Sequence, residues 1–280
     1  MQIGTNTIAQ TAVRAIHSAN AAVATASERI STGLRINRAS DDPVGMMLSN
    51  KLKTQISSMA KAMDNVNQGV GMTQIVDSSL SQMADVLASM RVVAVSAESS
   101  TASTSDRTGY QNALDALVTE INSIAANTVW NSDSLMTASS HTVTIQAGAA
   151  SADTITLSFV QTTASTLFSG YLSGTSIDIS STTDASNAVG YIDSAIETIN
   201  AYQSYMGAMD NVMTAQNNVL TGASMAYSTA YGNVMNADMA QETANLASAQ
   251  VQRDGATAML AQANGMNKEI VAFLLKSVTN

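Results

Sequence analysis

The stretch that decides the fold is residues 43–97, PVGMMLSNKLKTQISSMAKAMDNVNQGVGMTQIVDSSLSQMADVLASMRVVAVSA. It opens on Pro43, the one proline of the chain, directly after Asp41 and Asp42. Aspartate accepts hydrogen bonds from the free N–H groups of a first helical turn, and proline is tolerated at the first helical position. Because a residue before proline is driven out of the α region, we expect a helix to begin at Pro43, with Asp41 and Asp42 as its cap.

Apolar residues then recur mostly at alternating steps of three and four, which is the period of one helical face. The stripe consists of Leu48, Leu52, Ile56, Met59, Met63, Val66, Val70, Thr73, Val76 or Asp77, Leu80, Met83, Leu87, Met90, Ala94 and Ala97. A helix over the whole stretch would measure about 80 Å, which is typical of a coiled coil. We therefore predict that this helix is a structural spine.

The composition favours closely packed helices over a thick aliphatic core. Aromatic residues make up 4% of the chain and charged residues 12%, while methionine, which fills irregular gaps, occurs 17 times.

The composition also excludes several classes of function. A net charge of −9 argues against nucleic acid as a partner. The chain has no cysteine, so disulfide and thiol chemistry are excluded. No apolar run is long enough to span a bilayer, and the start lacks the pattern of a cleavable signal peptide, so we expect no membrane insertion.

A weaker amphipathic helix is predicted on each side of this spine. The first carries Ile8, Ala12, Ala15, Ala19, Ala22 or Val23, Ala26 and Ile30, and weakens at Ser31-Thr32-Gly33. The last carries Leu246, Ala249, Ala256, Leu260, Ala263, Ile270 and Leu274, after a hinge predicted at Tyr227–Asn233 around Gly232. Such alanine-rich helices bury little apolar area and are marginal when isolated, so each needs a partner.

The segments between the spine and the last helix alternate in type. A loop over Glu98–Gly109 precedes a helix that begins near Tyr110 and ends near Asn127, and another helix opens at Asp184. Between them, Thr142–Gln146 and Thr154–Phe159 alternate apolar and polar residues, which predicts a β-hairpin. Residues 137–186 are rich in Ser and Thr and are predicted to be the most exposed and loop-like part. The fold class is therefore mainly α: a long antiparallel helical coiled-coil bundle with paired terminal helices and a small β-hairpin region.

No arrangement of residues predicts catalysis or a bound cofactor. His17 and His141 are far apart in sequence, and neither belongs to a metal-ligand cluster. The pair Gly69 and Gly71 lacks the pattern of a phosphate-binding loop. We predict no enzyme activity, no cofactor, no metal and no small-molecule substrate.

Two stretches at opposite ends of the chain carry a family resemblance. Residues 28–42, ERISTGLRINRASDD, are similar to the N-terminal signature of bacterial flagellins, whose pattern is E-R-L-S-S-G-x-R-I-N-x-A-x-D-D. Residues 236–246, NADMAQETANL, and 258–264, AMLAQAN, resemble the C-terminal signature. The resemblance spans nearly everything except about 137–180, so the chain looks like a short flagellin that lacks large outer domains.

This resemblance implies a division into three domains. Residues 1–40 and 240–280 would form an inner, channel-lining coiled coil. Residues 41–136 and 184–239 would form the surrounding helical bundle, and residues 137–183 a β-hairpin and exposed segment. The implied subunit contacts lie at Ile8, Ile16, Val23, Ile30, Leu34, Ile36, Leu246, Leu260, Ile270 and Leu274.

The same resemblance implies a function and partners. The chain would be the structural subunit of an extracellular flagellar filament used for swimming, exported unfolded through the flagellar type III apparatus without cleavage of a signal. Its partners would be further copies of itself, an export chaperone on the C-terminal helix, and the filament cap and hook-junction proteins.

A further implied site is a segment through which many flagellins engage an innate immune receptor. It corresponds here to residues 87–97, in which Arg91 matches one arginine of that motif and Ser89 stands where a second is usual. Val92 replaces a common glutamate, and Ala113 stands at a downstream acidic position. Ser89 and Arg91 are therefore candidate receptor contacts in a motif that is only partly present.

Two alternative functions remain open from the sequence. A hook–filament junction protein would share the helical ends. A coiled-coil signalling protein or a membrane-active secreted protein would show similar alanine-rich heptads, although the predicted β-hairpin and the lack of a spanning run argue against it.

Overall fold

The computed structural model describes residues 6–138, 141–172 and 176–278, with side chains described except at Ile270 and from Phe273 onward. Within these ranges the elements are α1 (Thr7–Thr32), α2 (Pro43–Glu98), α3 (Thr104–Asn127), β1 (Val129–Trp130), β2 (Asp133–Ser134), β3 (His141–Gln146), β4 (Thr154–Phe159), α4 (Ala164–Leu167), α5 (Thr182–Met235) and α6 (Met239–Val278). The predicted fold class, mainly helical with a small antiparallel β region, is confirmed.

Contacts within the chain divide it into two compact units. Unit 1 takes in the chain up to Thr54 and from Ala226 onward, and unit 2 is Gln55–Met225. Helices α2 and α5 contribute residues to both units. The three-domain division stays a prediction, because the units follow contacts within a single chain.

The predicted apolar stripe of α2 supplies much of the buried surface of unit 2. Nine of its positions are buried from Met59 to Ala97, and Val76, not Asp77, is the inward residue at the ambiguous step: Met59, Val66, Val76, Leu80, Met83, Leu87, Met90, Ala94 and Ala97. Thr73 is also buried and donates a hydrogen bond to the Val70 carbonyl at 2.9 Å. The stripe is wrong at its start, since Leu48 is 44% exposed.

Helices α2 and α5 run antiparallel in unit 2. Asn217 donates to Asn67 at 2.7 Å, and Arg91, further along α2, donates to Asp193, which lies earlier in α5. Helix α3 begins at Thr104, earlier than predicted. Its N-terminus carries a capping box in which Ser103 and Asp106 bind each other's backbone N–H groups.

The predicted β-hairpin forms from β3 and β4, with Ile145 paired to Ile155 and Val143 to Leu157. Its inner face is tied to α5, where the Tyr205 hydroxyl accepts from the Ser158 N–H at 3.3 Å and Gln216 donates to the Ala147 carbonyl at 2.7 Å.

A second small hairpin, β1–β2, was not foreseen from the sequence. Asn131 and Ser132 form its two-residue turn, both with positive φ, as the favoured hairpin turns require.

The Ser- and Thr-rich stretch is less exposed than its composition predicts. Phe168, Ile177 and Ile179 are at most 1% exposed, and Thr162 is buried too. Gln111 of α3 donates to the Ile177 carbonyl at 2.7 Å and accepts from the Ile179 N–H at 3.0 Å. A few large apolar residues, widely spaced among Ser and Thr, are therefore enough to fold this stretch onto α3.

Candidate functional site

The paired terminal helices of unit 1 form the candidate site. Helix α1 packs along α6 in the antiparallel sense, because Asn6 lies beside Ala263 and Arg29 beside Glu242. The buried positions repeat every seven residues on both helices: Ala12, Ala19 and Ala26 on α1, and Ala249, Ala256 and Ala263 on α6. A seven-residue repeat is the signature of a coiled-coil seam. Alanine on both sides gives a thin seam that buries little apolar surface.

One ion pair closes this alanine seam near the end of α1. Arg29 donates to the Glu242 carboxylate at 3.0 Å, and the side chains are 28% and 9% exposed. Glu242 also accepts from Asn245 at 3.3 Å. Glu242 lies seven residues before Ala249, so a charge occupies the register position that alanine holds elsewhere. A single polar pair at such a position fixes the register of a coiled coil, which alanine alone specifies weakly.

The opposite end of the seam is held by Asn6. Its side-chain oxygen accepts from the Ala9 N–H at 2.9 Å and so caps α1, while its amide donates to the Ala263 carbonyl at 3.0 Å. One residue therefore both starts α1 and ties it to α6.

The loop after α1 is joined to the break between α5 and α6. Gly33 ends α1 with φ 71°, the left-handed conformation that favours glycine. Its carbonyl accepts from the Ala237 N–H at 2.9 Å, and the Arg35 N–H donates to the Met235 carbonyl at 2.6 Å. Leu34 and Asn236 thus form an antiparallel β-bridge. We call residues 33–35 and 234–237 the clip.

The two aspartates before Pro43 have different roles. Asp42 caps α2, accepting from the N–H groups of Val44 at 3.1 Å and Gly45 at 2.8 Å. Asp41 does not cap the helix as predicted. It closes the preceding turn by accepting from the N–H groups of Arg38 at 2.9 Å and Asn37 at 3.1 Å, and these bonds hold the pKa of its carboxyl below the ordinary 3.8.

The predicted contact residues divide between the inner and outer sides of unit 1. Six of the predicted contact residues are half-buried within the single chain. Four lie on α1 or just after it (Ile16, Val23, Ile30 and Leu34), and two lie on α6 (Leu246 and Leu260). Ile36 is buried at 2% and packs against Gly45, whereas Ile8 is 59% exposed. The side chains of Ile270 and Leu274 lie outside the described residues.

Many large apolar side chains of unit 1 face outward. Among the described residues these are Ile8, Val13, Val44, Met47, Leu48, Met239, Val251, Met259, Met266 and Val271, each at least 38% exposed. Exposed apolar side chains are the groups that contacts with another protein can bury. These residues are therefore available for packing against other helices.

The predicted hinge is wrong in position. Gly232 lies inside α5, which continues to Met235, and the helical break falls at Asn236–Asp238. After the break, Asp238 caps α6 by accepting from the Ala240 N–H at 2.9 Å. The helical break therefore lies after the predicted hinge, and Asp238 defines its end.

Ser89 and Arg91 lie on an exposed face of α2 in unit 2. Ser89 donates to the Asp85 carbonyl within its own helix, and Arg91 pairs with Asp193 of α5 at 2.6 Å. This contact raises the pKa of the Arg91 guanidinium. Val92 and Val95, on the same helix, are 67% and 45% exposed. A receptor role for this face stays a prediction.

The described residues do not bring together three His, Asp or Glu side chains that could hold a metal ion. Within the described part of the chain, helices that are both long and apolar enough to cross a membrane are also lacking.

Sequence reasoning missed the Arg29–Glu242 pair and the clip. A signal for the pair was present, because Glu242 continues the seven-residue series of Ala249, Ala256 and Ala263, and Arg29 follows the last buried alanine of α1. The backbone bonds of the clip join groups about 200 residues apart and leave no signature in residue type.

Comparison with known proteins places both ends of the chain in one family. The profile of the bacterial flagellin N-terminal helical region matches residues 3–141, and that of the C-terminal helical region matches residues 189–274. A flagellin of Halalkalibacterium halodurans is 30% identical over 249 residues, which is 89% of this chain and 90% of the relative. The flagellar filament 33 kDa core protein of Treponema phagedenis is 30% identical over 285 residues, covering 98% of this chain and all of the relative.

Solved structures share the fold. The crystal structure of Bacillus cereus flagellin superposes with a TM-score of 0.50 at 24% identity, over 56% of this chain and 88% of that one. A Vibrio parahaemolyticus protein described as flagellar hook-associated gives 0.56 at 14% identity, over 70% of this chain and all of that one.

Proposed function

The chain belongs to the bacterial flagellin family, and from this premise we propose that it polymerises through its terminal helices into the helical filament of the bacterial flagellum. The family is one of structural proteins, not of enzymes, and its filament is the extracellular part of the flagellum. The observation that carries the proposal is unit 1, where the two family signatures meet at the Arg29–Glu242 pair and the clip, beside an alanine seam, and where large apolar residues are exposed.

The thin seam explains why assembly would matter to these helices. Alanine side chains bury little area, so the α1–α6 pair gains little at about 25 cal/mol per Å². Further copies would cover the outward valines and methionines of unit 1 and so add the missing burial. The proposal therefore places the assembly energy in residues 1–40 and 240–280, with residues 41–136 and 184–239 as the surrounding bundle and 137–183 on its outer side.

The route to the outside is part of the same proposal. We expect export in the unfolded state through the flagellar apparatus, a chaperone on α6 before export, and contacts with the cap and hook-junction proteins. The marginal stability of α1 and α6 outside an assembly favours unfolding before transport.

The experiment that tests the proposal is electron microscopy of the purified chain after addition of a sulfate salt, which strengthens apolar burial. We expect long uniform filaments from the full chain and none from a chain without residues 1–40. A matched deletion of the β3–β4 turn, residues 148–152, should still give filaments. If the full chain yields only short stubs, a hook–filament junction role replaces the filament role. Filaments from the truncated chain would contradict the placement of assembly energy in α1.

A further inference from the structure

Methionine carries all the sulfur chemistry of this protein, because the chain has 17 methionines and no cysteine. A thioether is oxidised to the sulfoxide, which turns a flexible apolar side chain into a polar one. Susceptibility follows solvent exposure. The position of each methionine therefore decides what an oxidant does to the molecule.

The described methionines range from fully buried to largely exposed, and the two extremes define two groups. Met83, Met90 and Met213 in unit 2 are fully buried, at 0%. Met259 and Met266 of α6 are 65% and 48% exposed. An oxidant acting on the folded chain will reach the second group first.

Met259 and Met266 lie on one side of α6. They are seven residues apart, which is two helical turns or about 10 Å. They flank the seam positions Ala256 and Ala263, which face α1. The segment that contains them, residues 255–267, GATAMLAQANGMN, has no charged residue. A helix side that stays in water usually carries charged residues, so the largely exposed and uncharged surface of this segment favours further covering by a partner.

We propose that Met259 and Met266 form an oxidation-sensitive site that controls whether α6 can pack against a second copy of this chain. This inference rests on the proposed function, since it takes a second copy as the occupant of that surface. In the reduced state the two thioethers pack as apolar groups. In the oxidised state each sulfoxide oxygen must leave water without a donor to bind, and that cost opposes association.

The chemical step balances with a peroxide as the oxidant. One peroxide oxygen is transferred to each thioether sulfur, an S–O bond forms, the O–O bond breaks, and the peroxide is reduced to water. Each sulfur loses two electrons. Methionine sulfoxide reductase with a dithiol reverses the step, giving the thioether, water and a disulfide.

The test uses the full chain, treated briefly with hydrogen peroxide and then induced to polymerise with sulfate. Peptide mass spectrometry measures oxidation at each methionine, and sedimentation with electron microscopy measures filaments. The test variant is Met259→Leu/Met266→Leu, which keeps apolar volume. The matched control is Met225→Leu, which removes a methionine of 67% exposure outside unit 1. Untreated samples of both variants, checked by circular dichroism, show that each folds and assembles.

We expect peroxide to oxidise Met259 and Met266 well before Met83 and Met90, and to lower the elongation rate of the native chain about tenfold. The Met259→Leu/Met266→Leu variant should lose much less of its untreated rate than the native chain does, the control variant should be inhibited like the native chain, and reductase should restore the native chain. The proposal would be overturned if peroxide inhibits the two variants equally, or if buried and exposed methionines are oxidised at the same rate. If the untreated native chain forms no filament, the proposed function fails. The order in which the methionines are oxidised then still shows whether Met259 and Met266 form an oxidation-sensitive site.

Discussion

At the scale of single residues, the start of α2 depends on a close approach that only glycine permits. A Cβ on Gly45 would lie 2.6 Å from Ile36 Cδ1 and 2.8 Å from Asp42 Cγ. Ile36 is buried and Asp42 holds the helix cap, so neither can move without loss. We predict that Gly45→Ala lowers the free energy of unfolding by about 1–3 kcal/mol.

Urea unfolding measures this effect, and Gly255→Ala is its control. Gly255 is also helical, but a Cβ there meets nothing within 4 Å. Replacing it should raise stability by up to about 1 kcal/mol through helix propensity. Equal effects of the two substitutions would contradict the packing explanation.

Asp41 gives the loop before α2 a dependence on pH. Hydrogen bonds from the Arg38 and Asn37 N–H groups lower the pKa of its carboxyl in the folded state below the ordinary 3.8. A lowered folded pKa means that the carboxylate stabilises the fold at pH values above the unfolded pKa, and that this contribution is lost as pH falls through the folded pKa.

We therefore predict that Asp41→Asn makes the acid loss of stability shallower below about pH 4. Urea titrations at several acidic pH values measure it. Asp85→Asn, at an exposed position of α2, serves as the control. An unchanged pH profile for Asp41→Asn would show that the turn does not depend on the ionised carboxyl.

At the scale of elements, the α1–α6 seam contains one charge that cannot reach water easily. The Glu242 side chain is 9% exposed and that of its partner Arg29 is 28% exposed. Removing the arginine leaves a buried carboxylate, whereas removing the glutamate leaves an arginine that can turn outward. We predict that Arg29→Ala costs about 2 kcal/mol of unfolding free energy, more than Glu242→Ala.

The double variant Arg29→Ala/Glu242→Ala should be more stable than Arg29→Ala alone, because it carries no unpaired buried charge. Arg38→Ala is the comparison, since Arg38 and its partner Glu28 are 69% and 38% exposed and their pair should contribute under about 1 kcal/mol. If the double variant has a lower free energy of unfolding than both single variants, side-chain packing and not charge holds this end of the seam.

The elements whose bounds could be predicted from the sequence are those determined by neighbouring residues in the chain. Asp42 and Pro43 fix the start of α2 within one turn, and the apolar period fixes its inner face. The start of α3 was missed because Ser103 and Asp106 lie in a polar stretch that resembles a loop until their reciprocal bonds are seen. Burial of Phe168 depends on tertiary contacts, which a Ser- and Thr-rich composition hides.

The candidate site was predictable only in part for a similar reason. The alanine repeats showed that both terminal helices need partners, and the half-buried Ile16, Val23 and Leu246 lie on or beside the predicted faces. Pairing between positions such as Arg29 and Glu242 depends on register between distant segments, which a seven-residue repeat leaves undetermined. Ile8 fits the spacing of the stripe but lies at the end of the seam and is exposed, and its contact with another subunit stays a prediction.

At the scale of the whole molecule, stability should differ between the two units. Unit 2 buries leucine, isoleucine and methionine side chains, whereas the seam of unit 1 buries mainly alanine. Local stability follows buried apolar contact, so unit 1 should open more readily in the isolated chain. We predict that limited proteolysis of the monomer removes residues 1–40 and 240–280 first and leaves a fragment close to Gln55–Met225.

Mass spectrometry of the digest measures this order, with the sulfate-induced polymer as the control. Residues 1–40 and 240–280 should resist cleavage in the polymer, because burial of their apolar surface between copies offsets the entropy lost when they become ordered. A monomer that is cut in its centre while both ends stay whole would contradict the difference between the units.

The clip has a consequence for how this chain can change in length. The Arg35 side chain donates to the Val234 carbonyl, 199 residues further on, beside the Leu34–Asn236 bridge. Two backbone bonds add to this contact, from the Arg35 N–H to the Met235 carbonyl and from the Ala237 N–H to the Gly33 carbonyl, so both borders of the intervening chain are anchored to each other. An insertion at the exposed Ala150–Ser151 turn would leave the residues of the clip unchanged. We therefore expect α1 and α6 to keep their register when a short peptide is inserted at that turn.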